Sequence, residues 1–184
     1  MLQAARKDPR HTEPTAMAMS TVGDDGRPSS RILLLKSVDP SGFVFYTNLD
    51  SRKGREARAR PDLALLFHWV PLEVQVRIEG RAAQVADAEA DAYFAGRPRG
   101  SQLGAWASHQ SDVLSSREEL EGRLAEVTRR FQGKPVPRPP RWSGFRVAPL
   151  AMEFWRSREN RLHDRELYTR AAPGQPWKLQ LLNP

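Results

Sequence analysis

Hydrophobic and polar positions change rhythm along this chain, and the changes mark out its elements. Residues 16–22, 29–37 and 43–47 are short apolar or β-branched runs separated by Gly23-Asp24-Asp25-Gly26 and Asp39-Pro40-Ser41-Gly42. Runs of that length between turn formers predict a β-meander. Residues 51–60 are charged, rich in helix formers and stop at Pro61, which predicts a short helix. Strand character returns over 63–70 and 73–85, where Glu73-Val74-Gln75-Val76-Arg77-Ile78 alternates polar with apolar. Residues 87–95 open on an acidic cap and read as helix, and 115–131 do so more strongly, with Leu120, Leu124, Val127 and Phe131 on one face. A Gly- and Ser-containing stretch, 97–111, lies between these two helices without an assigned element. Four prolines in 134–141 predict an extended connector, and strands return at 144–154, 166–169 and 177–182. Many strands needing one core, with few helices, predict a mainly β fold: an antiparallel barrel with helices packed around it.

Composition narrows this reading. At 184 residues the chain fits one domain burying roughly two thirds of its unfolded surface. The chain after 134–141 is too short for a second core, so we expect a short amino-terminal arm, 1–12, and one domain, 13–184. Without cysteine there is no disulfide, thiolate metal site or cysteine nucleophile. No apolar run approaches the ~18 residues that span a bilayer, and the opening residues have no signal-peptide pattern; a cytoplasmic protein is expected. The net charge of +7 comes from 24 Arg and 5 Lys against 22 acidic residues. The rigid guanidinium fork suits phosphate, in nucleic acid or in a small ester. Composition alone favours arginines scattered over a solvated surface, so position decides.

Four clusters stand out by position. In Arg31-Ile32-Leu33-Leu34-Leu35-Lys36 two cations bracket four aliphatic residues, and alternation in a strand sends one of them to the buried or ligand side. In Tyr46-Thr47-Asn48-Leu49-Asp50-Ser51-Arg52-Lys53-Gly54 a strand ends and a helix starts on two cations, where acidic residues are usual; that start is a plausible phosphate cradle. Tyr93, Arg97, Arg99, Ser101 and Gln102 bring hydroxyls and guanidinium forks together for a second phosphate, a surface turn being the competing account. After Glu153-Phe154-Trp155 come Arg161, His163 and Arg165 at alternate positions, which a strand would put on one face, with Trp155 as an aromatic wall for a planar ligand. No Walker loop or dinucleotide fingerprint is present, and four scattered histidines do not make a metal site.

Together, Arg31 to Lys36, Phe45 to Asn48 with Ser51-Arg52-Lys53, Arg97-Pro98-Arg99-Gly100-Ser101-Gln102 and Arg161-Leu162-His163-Asp164-Arg165 resemble the pyridoxamine 5′-phosphate oxidase family, in order and spacing, from about residue 13 to 184. The resemblance implies a split β-barrel homodimer with flavin mononucleotide (FMN) at the subunit interface. It implies that Arg31, Arg52 and Lys53 surround the FMN phosphate, with the strand through Leu33 and Leu34 and Lys36 beside the flavin. Tyr46, Thr47, Gln75, Gln110, Ser111, Trp155 and Arg165 match further cofactor contacts. Lys36, Tyr93, Arg97 and Ser101 match the substrate-phosphate contacts, and Arg161 and His163 the pair that orients the substrate ring for catalysis.

The activity this implies is oxidation of pyridoxamine or pyridoxine 5′-phosphate to pyridoxal 5′-phosphate, with oxygen as acceptor and hydrogen peroxide as product. Three departures accompany the match. Only some twelve residues precede it, where the family usually has a longer leader that partly covers the substrate. Arg156-Ser157-Arg158-Glu159 replaces a glycine-containing turn, and Leu181-Leu182 stands where an arginine is common. The rival readings are a flavin oxidase of the same fold acting on another ring, such as a phenazine precursor, and a non-catalytic flavin- or nucleic-acid-binding barrel. The four phosphate-directed residues weigh against the first, and tryptophans lying mostly away from the basic clusters weigh against nucleic acid.

Overall fold

The computed structural model describes residues 1–184. Its strands are β1 (Ala16–Val22), β2 (Pro28–Leu34), β3 (Ser37–Asp39), β4 (Gly42–Asn48), β5 (Asp62–Trp69), β6 (Val74–Gln84), β7 (Trp142–Arg156), β8 (Asp164–Thr169) and β9 (Lys178–Leu181). All pair antiparallel in one sheet ordered β2-β1-β5-β6-β7-β4-β3, with β8 added to β7 and β9 to β8. Alternation puts Met17 and Met19, then Leu65 and Phe67, then Val76 and Ile78 on the inner face, where each is at most 5% exposed. Those side chains, with Leu35, Phe45, Phe145 and Val147, are the main core. The fold is mainly β, as the pattern predicts.

The sheet curls because β7 is long and serves three neighbours in turn: β4 along 142–147, β6 along 145–156 and β8 along 151–156. A bulge between Glu79 and Gly80 bends the β6–β7 ladder. Gly80 is required there, since a Cβ would lie 2.4 Å from the Ala148 carbonyl oxygen.

Helices α3 (Asp87–Ala95), α4 (Arg99–Ala107) and α5 (Arg117–Arg130) gather around a smaller core of Phe94, Leu103, Phe131, Val136 and Trp142. The proline-rich connector is extended, as predicted, and is pinned by side-chain donors. Arg138 reaches Asp87 and Asp91, Trp106 Nε1 donates to the Pro137 carbonyl, and Arg99 donates to the carbonyls of Phe131 and Lys134.

Several elements differ from expectation. The stretch 97–111 contains α4, which Gly100 and Gly104 disfavour locally and which tertiary packing of Leu103 and Ala107 stabilises. The amino-terminal arm contains a helical turn, α1 (Leu2–Lys7), with Ala5 buried and Leu2 against the main core. On α5, Phe131 is buried but Leu124 is 39% exposed, so the predicted apolar face docks only at its end. No helix is long and apolar enough to cross a membrane.

Candidate active site

The strand-to-helix passage after β4 sets the first part of the site. Ser51 caps α2 (Arg52–Ala59), its Oγ accepting the Gly54 N–H. Gly54 permits the helix to sit against the strand end, because a Cβ would fall 2.5 Å from the Leu49 carbonyl oxygen. Arg52 and Lys53 thereby project from a helix start closed by the loop of Gln110 and Ser111. Ser111 Oγ accepts the Arg52 N–H, and Gln110 Oε1 accepts from both Lys53 Nζ (3.1 Å) and Thr47 Oγ1 (3.2 Å).

One helical turn further, Glu56 is buried and organises the cations. Its carboxylate accepts from Thr21, Ser29, Arg31 and Arg52, the last through Nε at 2.8 Å. Burial alone would raise its pKa, but the bonds from Thr21, Arg52 and Ser29 and the Arg52 charge prevail and hold it at about 2. Strand β2 ends at Leu34, so the alternation expected to oppose Arg31 and Lys36 does not extend that far. Arg31 instead folds onto Glu56 through Thr21 and Ser29, and Lys36 lies beyond the strand end.

Leu33, Lys36, Tyr46, Thr47, Lys53, Tyr93, Arg97, Ser101 and Gln110 line one cavity of about 440 Å³, with Ile32, Asn48, Ser108 and Trp142 among its other walls. An adjoining hollow shares Lys36, Tyr46, Tyr93, Arg97 and Ser101 and adds Leu34. The cavity therefore gathers residues from β2, β4, α3 and α4 that lie far apart in the sequence. Its cations lack anions. Lys53 has its pKa lowered by burial and by Arg31, and Arg97 has its own lowered by burial, with Tyr93 opposing. Arg97 Nη1 is buried without a hydrogen-bond partner. A ligand carrying phosphate would relieve both, and the volume is that of an ordinary cofactor or substrate site. Arg99, by contrast, is spent on the Phe131 and Lys134 carbonyls and belongs to the scaffold.

The remaining predicted residues form a second cluster outside this cavity. Gln75, Trp155 and Arg165 make one row across β6, β7 and β8. Arg165 Nε donates to buried Glu153 at 2.8 Å, and Arg77 donates to the other oxygen of the same carboxylate. The Arg165 bond, followed by the charges of Arg165 and Arg77, holds Glu153 below the usual carboxylate range despite burial. The His163 ring lies 4.5 Å from that of Trp155, and its Nδ1 accepts the Arg158 N–H. Nδ1 as acceptor leaves the proton of a neutral ring on Nε2.

The reading of Arg161, His163 and Arg165 on one strand face is corrected here. Strand β8 begins only at Asp164, and Arg161 sits in a helical turn before it. Asn160 (φ 54°) and Arg161 (φ 61°) both adopt the left-handed region, supplying without glycine the reversal that a glycine-containing turn would give. An ion pair from Arg158 to Asp164 closes the loop. Sequence reasoning missed Glu56, Glu153 and Trp142. Glu56 had a signal in its four-residue spacing from Arg52, whereas Glu153 and Trp142 had none.

Comparison with known proteins places this geometry. Residues 5–131 match the pyridoxamine 5′-phosphate oxidase family, and residues 142–184 match the pyridoxine 5′-phosphate oxidase C-terminal dimerisation region. The pyridoxine/pyridoxamine 5′-phosphate oxidase of Myxococcus xanthus (strain DK1622) is 62% identical over 172 residues, covering 94% of this chain and 82% of its own length. The protein of that name from Rubrobacter xylanophilus is 61% identical, covering 94% and 78%. Among solved structures, PhzG from Burkholderia lata 383, in complex with tetrahydrophenazine-1-carboxylic acid, is 38% identical, with a TM-score of 0.91 over 99% of this chain and 88% of that one. A pyridoxamine 5′-phosphate oxidase-related, FMN-binding protein from Nostoc punctiforme shares the fold, with a TM-score of 0.79 at 16% identity over 99% and 94% of the two chains. With a cation-lined cavity at the end of a curled sheet and family matches over most of its length, this chain belongs to the pyridoxamine 5′-phosphate oxidase family of split-barrel oxidoreductases, whose cofactor is FMN.

Proposed function

We propose that the protein oxidises pyridoxamine or pyridoxine 5′-phosphate to pyridoxal 5′-phosphate, with oxygen as electron acceptor and hydrogen peroxide as product. The observation that carries this reading is Arg97, a half-buried guanidinium with no ion-pair partner and with Nη1 buried and unbonded, in one cavity with Lys36, Tyr93 and Ser101. A phosphate dianion on the substrate satisfies that group together with Lys36, Tyr93 and Ser101, whereas an uncharged ring leaves it unpaired. The names of the relatives at 61 and 62% identity agree.

FMN, when bound, would supply the hydride acceptor and the route of the electrons to oxygen. Arg31, Arg52 and Lys53, with Gln110 and Ser111, would hold its phosphate at the start of α2, where the helix dipole adds to the cations. Leu33, Tyr46 and Thr47 line the cavity beside that cradle and Leu34 the adjoining hollow, where the flavin ring would lie. Lys36, Tyr93, Arg97 and Ser101 hold the substrate phosphate and so fix the ring, which replaces a bimolecular encounter by a positioned one. Arg161 and His163 cover the substrate ring and orient its reacting carbon.

In a single chain Gln75, Trp155, Arg161, His163 and Arg165 lie outside the cavity wall. The dimerisation region comprises β7 to β9, which carry four of these five residues or the loop between them. We read the protein as a homodimer in which this row from one subunit faces the cavity of the other.

The likeness to PhzG favours a second reading, a flavin oxidase acting on a phenazine precursor. One experiment separates the two. The yellow holoprotein, mixed without oxygen with pyridoxamine 5′-phosphate, is expected to lose its flavin absorbance at once, and to lose it slowly or not at all with a reduced phenazine carboxylate. The opposite order overturns the assignment.

A further inference from the structure

Arginines are held in two different ways in this molecule. Arg31 and Arg52 are framed by the Glu56 carboxylate, which takes Arg31 Nη2 at 3.3 Å and Arg52 Nε at 2.8 Å. Arg97 has no carboxylate frame. Its guanidinium carbon lies 4.7 Å from the ring centroid of Trp142 and 5.5 Å from that of Phe94. Trp142, at the start of β7, is 6% exposed and runs parallel to both tyrosines of the cavity: 5.4 Å and 5° from Tyr46, 6.1 Å and 5° from Tyr93. Phe94 meets it edge-on, and Tyr46 and Tyr93 stack at 3.8 Å, so the indole plane is fixed from several sides.

The difference between the frames has a chemical consequence. A carboxylate beside Arg97 would offset part of its charge and occupy part of its fork, as Glu56 does for Arg31 and Arg52. An aromatic face stabilises a desolvated cation through its quadrupole, uses none of the five N–H donors and adds no negative charge. Arg97 thus keeps its full charge and its donors for the ligand, in an orientation set by the ring. We propose that Trp142 is a positioning residue that makes the site selective for a phosphate dianion, acting through Arg97. This rests on the reading of Lys36, Tyr93, Arg97 and Ser101 as the substrate-phosphate group.

The test is a double-mutant cycle on the FMN-loaded dimer, with Trp142→Leu, which removes the aromatic face, and Trp142→Phe, which keeps a smaller one, each with and without Arg97→Met. Trp142→Leu is expected to raise KM for pyridoxamine 5′-phosphate about ten-fold, the size of one partly desolvated cation–π contact, and Trp142→Phe about three-fold. In both, kcat at saturating substrate and FMN content are expected to change less than about two-fold. In the Arg97→Met background the Trp142 penalty should vanish, because the group it positions is gone. A wild-type KM in both variants overturns the inference. So does a penalty that persists in full without Arg97, or a loss confined to kcat. Should Trp142→Leu fail to fold, since it lies in the small core with Phe94 and Phe131, the Phe variant and its cycle decide alone.

Failure of the underlying reading would look different: wild-type holoenzyme would leave pyridoxamine 5′-phosphate unoxidised. The same cycle is then read by calorimetric titration with inorganic phosphate. A roughly ten-fold weaker affinity in Trp142→Leu supports the inference, and unchanged affinity, or no binding by wild type, overturns it.

Discussion

Arg161 and Arg165 lie four positions apart but in different surroundings, and that separates their expected roles. Arg161 is exposed at the tip of a left-handed turn, whereas Arg165 is tied to Glu153 and to the Asn183 carbonyl. If Arg161 orients the substrate ring by one charge-assisted contact worth ~1.5 to 3 kcal/mol, Arg161→Ala should lower kcat/KM roughly ten- to a hundred-fold. FMN content should stay as it is. Arg165→Ala should instead weaken FMN binding, since it breaks the row with Gln75 and Trp155 and leaves Glu153 with Arg77 alone. Flavin fluorescence titration and product absorbance on each variant check the split, and loss of flavin from Arg161→Ala would contradict it. The backbone around Arg161 was not legible in the sequence, because the left-handed turn falls on Asn160 and Arg161 and no glycine marks it.

The element with most consequence is α2, which carries two cations at its start and a buried carboxylate one turn on. Replacing Arg52 and Lys53 together by Ala should weaken FMN at least roughly a hundred-fold, as each charge-assisted bond to phosphate is worth ~1.5 to 3 kcal/mol. Unchanged occupancy after dialysis would place the cradle elsewhere. Glu56 gives a prediction in pH. Its folded pKa of about 2 lies below the ordinary value of 4.5, so its contribution is complete above about pH 4.5 and is lost as pH falls toward 2. Glu56→Gln should therefore be less stable than wild type by about 1 to 3 kcal/mol at pH 6, with the gap closing at pH 3. Urea unfolding at the two pH values measures it, and an equal gap at both would show that the Glu56 charge does not act. The helix itself was readable from its composition and Pro61, but the ligands of Glu56 on β1 and β2 were not, since Thr21 and Ser29 meet it only across the folded sheet.

At the scale of the whole molecule, the candidate residues of one chain fall into two separate groups. Lys53, Gln110 and Arg97 line the cavity; Gln75, Trp155 and His163 stand outside it. Apolar side chains left outward include Ile32 (68% exposed) at the cavity, Leu162 (67%) beside His163, and Leu179 and Leu181 (51 and 79%) on the last strand. Exposed groups of that kind, in a region matched as a dimerisation region, fit burial against a second copy. Sedimentation of the FMN-loaded protein should give a dimer with one FMN per subunit. A flavin-loaded monomer with full activity would end the two-chain site.

The sequence alone determined the local order: strands where apolar residues alternate, α2 where charged helix formers stop at proline, and four cationic clusters, two of them with residue types that suit phosphate. These are readable because periodicity and side-chain chemistry act over a few neighbours. Tertiary structure alone decided α4, whose glycines argue against a helix until Leu103 finds the small core and Ala107 is buried. It also decided that Arg97 rests on Trp142 and Arg31 on Glu56, and that Arg161 leaves the strand face of Arg165. Each of these depends on which distant segment folds alongside, and burial makes that choice only once the sheet has curled.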